Sequence, residues 1–332
     1  MALTERQLVS FLAERFSSRT PDVTLGIGDD AAVLAPPREP LVISVDASVD
    51  GVHFDLEYLS HEDVGYRAFQ AAVSDLAAMG AEPVAALSAL VLPRHVSQQA
   101  IEKLTAGQAE ASRETGCPVV GGNVSRGREL SITTTVVGRA AHPLQRRGAR
   151  PGEQLWLVGE VGMAAAGLSY LRLQRTRRAR AWASPSSGPA RMRASELALA
   201  PCIDAWRRPR ARLAQGLELV GRASAVIDVS DGLAADAQHL ASASGVRLVI
   251  HRERLRAALP AALCVAQAQL RRSALRFALE GGEDYALLAT GPAPLRPPSA
   301  VPIGHVEPGR GAFLDEGDRL SALRGGFDHL RR

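Results

Sequence analysis

The chain has 332 residues, 39 Lys+Arg against 35 Asp+Glu, and a formal net charge of +4. Its only lysine, Lys103, sits in Glu-Lys-Leu, so there is no Gly-Lys-Ser/Thr phosphate loop and no lysine with the context of a Schiff-base former. Aromatic content of 4% is too low for a base-stacking surface, which argues against nucleic acid as a partner, while 46% hydrophobic residues supply one large core or two ordinary ones.

Residues 4–16 read as a short amphipathic helix, followed by an extended run, Val23–Ile27, into Gly28-Asp29-Asp30. Leu41–Val45 reads as a short strand that ends at Asp46. Ser60 to Met79 reads as a helix, opened by a Ser60/Asp63 capping box and closed by Gly80 and Pro83. A strand over Leu87–Leu92 and a helix over Ser97–Glu114 follow, the helix ended by Gly116. Val119-Val120 then leads into Gly121-Gly122, and Ser131–Val137 is a Thr/Val-rich strand.

The turn-rich stretch His142–Gly152 marks a domain boundary, giving domains over 1–143 and 150–332. Leu155–Val158, Val226–Val229, Leu248–Ile250, Tyr285–Ala289 and Val301–Ile303 read as strands, with helices over Met163–Leu173 and from Leu233. The Arg-, Ala-, Ser- and Pro-rich stretch within 174–200 reads as a flexible insertion. Cys117, Cys202 and Cys264 have no metal spacing and suggest no disulfide framework. With no signal-peptide pattern and no 18-residue apolar run, the expectation is a cytoplasmic protein with no membrane partner.

Glycine meets carboxylates or amides at five places: Gly28-Asp29-Asp30, Asp46 with Asp50-Gly51, Gly121-Gly122-Asn123, Asp228 through Gly232, and Gly281 through Asp284. Each alone fits an ordinary turn. Together they place Asp46, Asp228 and Asp231 at or just past strand ends, where open α/β sheets hold ligands. Carboxylates gathered there repel one another unless a cation neutralises them, and an all-oxygen ligand set suits Mg²⁺. Asp75 falls on the apolar face of its helix, seven residues after Ala68 and eleven after Val64. Such a carboxylate needs a metal or an arginine partner. His53, beside Phe54, fits either a structural or a functional role, and Arg147 either a surface position or a phosphate contact.

Read together, these segments resemble the thiamine-monophosphate kinase family. The matching stretches are LGIGDDAAVL (25–34), SVDASVDGVHF (44–54), AFQAAVSDLAAMGAEPVAALSALVLP (68–93), GGNVSRG (121–127), RRGARPGEQLWLVG (146–159), AVIDVSDGLAADAQHL (225–240), ALEGGEDYALLAT (278–290) and GGFDHL (325–330). They span nearly the whole chain outside 174–200, in the family's order. The resemblance implies a two-domain fold like that of aminoimidazole ribonucleotide synthetase, α/β then α+β, with mixed sheets flanked by helices and no P-loop. It implies ATP and Mg²⁺ as cofactors, thiamine monophosphate as the substrate, and a homodimer formed through strands of the first domain.

Position by position, the resemblance places Asp30, Ser44, Val45 (through its carbonyl), Asp46, Asp75, Asn123, Asp228 and Asp231 at metal positions. Gly122, Asn123, Arg147 and Ser230 fall at nucleotide positions, and His53, Asp284 and Phe327 at substrate positions; Asp29 and Glu283 are adjacent acids. The family's aspartate after the Gly-Gly pair is Asn123 here, an amide that keeps an oxygen ligand and loses the charge. Its glutamate after Glu-Asp-Tyr is Ala286. In the implied reaction the phosphate monoester is itself the nucleophile, so no residue is expected to serve as acid or base. The alternatives are a paralogous kinase or synthetase with another substrate, or a nucleotide-binding relative whose activity Asn123 has reduced.

Overall fold

A computed structural model describes residues 5–16, 20–27, 31–181 and 189–326. The chain divides into two compact units, Met1–Pro143 and Leu144–Arg332. Each contains a mixed sheet flanked by helices.

The first unit contains α1 (Glu5–Arg15), β1 (Val23–Leu25), β2 (Val33–Leu34), β3 (Leu41–Val49), α2 (His61–Ala78), β4 (Glu82–Pro93), α3 (Gln98–Thr115), β5 (Val119–Gly127) and β6 (Ser131–Arg139). Its four-stranded sheet runs β3-β6-β4-β5, with β5 parallel to β4 and the other neighbours antiparallel. The Ser60/Asp63 capping box forms, each side chain accepting the other residue's backbone N–H. Helix α3 opens on a Ser97 cap and closes on a left-handed Gly116.

Helices α2 and α3 cross at a pair of glycines. A Cβ on Gly65 would strike the Leu104 carbonyl, and one on Gly107 would strike the Glu62 carbonyl. This close approach helps bury α2, in which every residue from Val64 to Ala78 is buried except Asp75.

Two sequence expectations change here. Strand β3 does not stop at Asp46 but runs on to Val49, with Asp46 opposite Thr134 in mid-strand. Its alternation is inverted: Leu41, Ile43 and Val45 are exposed, while Val42, Ser44, Asp46 and Ser48 share the other face. A strand with its apolar side outward does not look like a strand when polar residues are taken as breaks. Likewise, Gly121-Gly122-Asn123 is not a turn. It lies inside β5, with Gly122 opposite Ser88 and Asn123 opposite Ala89.

The second unit contains β7 (Gln154–Val158), α4 (Met163–Ala181), α5 (Pro189–Arg207), α6 (Leu213–Leu219), β8 (Ala225–Val229), α7 (Leu233–Ser244), β9 (Arg247–His251), α8 (Arg252–Ala258), α9 (Ala261–Leu270), α10 (Ala274–Glu280), β10 (Ala286–Gly291), β11 (Ala300–Glu307), β12 (Gly311–Asp315) and β13 (Leu320–Ala322). The seven strands are ordered β13-β12-β9-β11-β7-β10-β8, and only β12 and β9 pair in parallel. Leu155, Leu157, Ile227, Leu248, Ile250 and Leu288 from the sheet form the main core with Leu240 of α7. A second cluster joins Met163, Tyr170, Leu199, Cys202 and Phe277 among the helices.

The stretch expected as a flexible insertion is helical where it is described, since α4 runs on to Ala181 and α5 begins at Pro189. Arginine and alanine are good helix formers, and that propensity outweighs the polar composition. Cys117 and Cys202 are buried, which pushes their thiols up to about 12 and about 11; neither has the lowered pKa of a reactive thiol.

Gly65→Ala and Gly107→Ala should each destabilise the chain by about 1–3 kcal/mol or more through overpacking, although alanine is the better helix former by about 1 kcal/mol. Urea unfolding would read this, and unchanged stability would contradict the tight crossing.

Candidate functional site

In the first unit, Asp75 is placed by a helix that is otherwise buried from Val64 onward and by the strand beneath it. The Ser44 hydroxyl donates to Asp75 Oδ2 at 2.5 Å. Asp46 lies two residues further along β3, on the face that Ser44 shares. The partner of Asp75 is thus a hydroxyl of the facing strand, and Ser44, Asp46 and Asp75 form an oxygen-rich patch. The Val45 side chain is on the opposite face, 61% exposed, which leaves its carbonyl as its only polar oxygen.

After β3, the turn at Asp50-Gly51 brings His53 back onto the strand end. His53 Nδ1 accepts the Val49 N–H at 3.1 Å. Burial pushes the Asp50 carboxyl above its usual range.

At the other edge of the same sheet, Gly122 has φ +152°, and a Cβ there would collide with the Ser88 carbonyl. Gln108 of α3 holds the Ser88 side chain from below at 2.9 Å. A pocket of about 150 Å³ opens over this segment. Val9 and Leu12 of α1, Phe16 just past its end, and Leu90 and Val119 of the sheet form its apolar wall, and Ser88 and Gly121–Asn123 its polar side. Asn123 itself is exposed.

In the second unit, β7 and β8 flank β10 antiparallel to it, so their C-terminal ends and the start of β10 share one edge. The acidic motifs meet there. The Ser230 carbonyl accepts the Glu283 N–H at 2.8 Å, and the Val229 carbonyl accepts the Tyr285 N–H at 3.0 Å. Glu283 and Tyr285, at φ 70° and 50°, are left-handed without being glycine. That conformation costs about 1–3 kcal/mol per residue and clusters at functional sites.

Asp228 is buried and Asp231 half-buried. Asp236, one turn into α7, accepts the Asp231 N–H at 3.2 Å. Its carboxyl is pushed up to about 8, first by burial and then by the charges of Asp228 and Asp231. The sequence reading missed Asp236. The signal was present: it lies three residues after Leu233 and four before Leu240, on the buried face of α7, the same periodicity that singles out Asp75.

Asp284, expected at a substrate position, is buried against the start of α4. Its two oxygens accept the Gly162 N–H at 2.6 Å and the Ala164 N–H at 2.9 Å. It therefore caps the helix, where a carboxylate is favoured. Arg147 is exposed and donates from Nε to Gln145 at 2.6 Å. The backbone there runs alongside β8, for the Gln145 carbonyl accepts the Val226 N–H. Asp29, Asp30 and Phe327 lie outside the described residues. Among those described, no three His, Cys, Asp or Glu side chains gather closely enough to hold a metal ion.

Burial is the largest influence on Asp284 and holds its pKa at about 7, against 3.8 for an ordinary aspartate. Because the folded value is raised, its contribution to stability is full below pH 3.8 and is lost as pH rises through about 7. The unliganded chain should therefore lose stability over that window, and Asp284→Asn should flatten the profile in urea titrations at stepped pH. An unchanged slope would contradict this.

Residues 28–140 match the family model described as AIR synthase related protein, N-terminal domain. The thiamine-monophosphate kinase of Aquifex aeolicus is 35% identical over 291 residues, spanning 87% of this chain and 89% of that protein. A solved structure described as AaThiL complexed with AMPPCP and TMP superposes with a TM-score of 0.77 at 32% identity, covering 99% of both chains. The crystal structure of the Stenotrophomonas maltophilia thiamine-monophosphate kinase also gives 0.77 at 32% identity, covering 95% of this chain and 98% of that one.

Proposed function

The chain belongs to the thiamine-monophosphate kinase family, and on that premise we propose that it transfers the γ-phosphoryl group of ATP to thiamine monophosphate, releasing ADP and thiamine diphosphate. The likeness to a relative bound to AMPPCP and TMP, over 99% of both chains, carries this reading.

The described residues fit Mg²⁺. Their donors are carboxylates and a hydroxyl, the oxygen ligands that a hard cation takes. Burial first, and then the charges of Asp228 and Asp231, raise the Asp236 pKa; the repulsion among these carboxylates is what a bound cation would relieve. Ser44, Asp46 and Asp75 in the first unit and Asp228 and Asp231 in the second are the proposed ligands, with Asp30 and the Val45 carbonyl. No cage of three side chains is required, because Mg²⁺ keeps several waters and binds through one or two carboxylates plus substrate phosphates. When bound, the cation neutralises the phosphate charges that keep the two anionic substrates apart.

The chain's own residues orient and hold. Ser44 fixes the direction of Asp75, and the Gly282–Glu283 turn fixes the Ser230 backbone. In the first unit the pocket beside Gly122 and Asn123 is proposed for the nucleotide; in the second unit Arg147 and Ser230 are the proposed nucleotide-contact residues. His53, Asp284 and Phe327 are proposed for the thiamine phosphate side, Asp284 acting through the helix start that it caps. No proton acceptor is needed, since the phosphate monoester is already nucleophilic.

The proposed assembly is a homodimer in the cytoplasm. Val45, Thr135 and Leu87 are aligned across β3, β6 and β4 by register. Val45 and Leu87, with Leu41 and Ile43, are the exposed apolar residues of this stripe, Ile43 at 64% and Val45 at 61%, and half-buried Thr135 lies between the first two. Contiguous apolar surface of this kind marks an interface. Among the described residues no helix is long and apolar enough to cross a membrane.

With ATP, Mg²⁺ and thiamine monophosphate, the natural chain should release ADP, and Asp46→Ala and Asp75→Ala should abolish that release while remaining folded by circular dichroism. Near-normal turnover in either variant would remove the metal roles. Asn123→Asp should lower the Mg²⁺ concentration needed for half-maximal rate; ADP release only in that variant would favour the reading of a relative with reduced activity. Ile43→Arg should convert a dimer to a monomer in sedimentation velocity, and a natural chain that is already monomeric would refute the stripe as an interface.

A further inference from the structure

Strands β11, β9 and β12 of the second sheet carry a cluster that the phosphoryl-transfer reading does not use. The β9–β12 register sets His251 beside Asp315, and the β9–β11 register sets His305 opposite Val249, one diagonal step from His251 on the same face. The two imidazole rings stack with centroids 4.9 Å apart and planes at 29°. His251 Nδ1 lies 3.0 Å from Asp315 Oδ2, and His305 Nε2 lies 2.8 Å from Glu307 Oε1. The remaining two ring nitrogens, His251 Nε2 and His305 Nδ1, are 2.9 Å apart.

Counting protons shows what this arrangement demands. An ionised carboxylate only accepts, so each histidine must turn its N–H toward its acid. Asp315 also accepts the Gly317 N–H, through Oδ1 at 2.9 Å. A neutral imidazole has only one N–H. The two nitrogens that face each other then both present lone pairs, which repel at 2.9 Å unless a cation lies between them.

The outer pattern is that of a metal site. A histidine ligand usually donates its other N–H to a carboxylate, which fixes its tautomer and orientation, and both histidines do so here. Two nitrogens bound to one tetrahedral zinc at about 2.0–2.1 Å stand about 3.3 Å apart, so the rings need open only a few tenths of an ångström. The side chains are partly exposed, His251 at 27% and His305 at 36%, which leaves room for water to complete the coordination. Imidazole nitrogen suits a borderline ion such as Zn²⁺ and discriminates against Mg²⁺.

We propose that His251 Nε2 and His305 Nδ1 form a two-histidine site for a borderline divalent transition metal, with Zn²⁺ the natural probe, oriented by Asp315 and Glu307 and separate from the kinase chemistry. By joining β9, β11 and β12, a metal bound only in the folded state would also stabilise that part of the sheet.

The test uses the full chain, stripped with a chelator and held in excess Mg²⁺ so that the proposed Mg²⁺ ligands are occupied. Zn²⁺ is titrated against a chromophoric competitor. The expected result is one Zn²⁺ per chain, an affinity at least about tenfold weaker in His251→Gln and in His305→Gln, and a loss of about 10–100-fold in Asp315→Asn. ADP release should be unchanged in all three. Histidine ring ¹H–¹⁵N spectra of the natural chain should shift at two histidines on adding Zn²⁺, which keeps the test valid should a variant misfold. Equal Zn²⁺ affinity in the natural chain and both histidine variants would overturn the proposal. So would ring spectra that respond to pH and not to Zn²⁺, since the 2.9 Å contact would then be a shared proton.

Discussion

Repulsion among Asp228, Asp231 and Asp236 at the end of β8 is the constraint around which the second unit's acidic edge is organised. Asp236 is buried between two like charges, and this keeps its carboxyl up at about 8. The backbone around it is built to hold that arrangement. The Asp231 N–H donates to Asp236, the Ser230 carbonyl is tied to the Gly282–Glu283 turn, and two residues beside Asp284 adopt left-handed backbone without being glycine. Strain and charge crowding in one place are unfavourable for the empty fold. Both become intelligible if a cation and phosphate oxygens complete the site.

The first unit handles the same problem differently. Only one of its proposed acids, Asp75, lies on the buried helix, and it is met by a serine from the strand below. Asp46 is displayed from mid-strand on the same face. What makes that possible is the inverted alternation of β3, whose polar residues face the helix while its apolar residues face outward. One strand thus serves two ends: its inner face carries the proposed oxygen ligands, and its outer face carries the apolar stripe proposed for dimerisation. Because the side-chain period is two, a shift of one residue would lose both together.

Much of the fold was legible from the chain. The helices α2 and α3, with their Ser60 and Ser97 starts, follow from capping chemistry and apolar spacing, both of which are local. The short apolar strands β7, β8 and β10 are visible because burial on both faces makes them continuous runs. The readings that failed did so where tertiary context reverses a local rule. Gly121-Gly122-Asn123 has turn composition yet lies in a strand, because β4 approaches too closely for any side chain at Gly122. The arginine-rich stretch within 174–200 has the composition of a linker yet is helical where described, at the end of α4 and the start of α5.

For the site, the motifs and their order along the chain were sufficient to point to the thiamine-monophosphate kinase family, since that resemblance rests on short stretches of residues in sequence. Which partners those residues have was not. That Asp75 meets Ser44, that Asp284 caps α4, that Asp236 is caught between two other aspartates, and that two histidines 54 residues apart stand nitrogen to nitrogen all depend on strand register and helix packing. A sequence specifies which groups are available and their local periodicity. Distances between groups remote in sequence are set only when the sheets close, because register and packing are decided by the whole core at once.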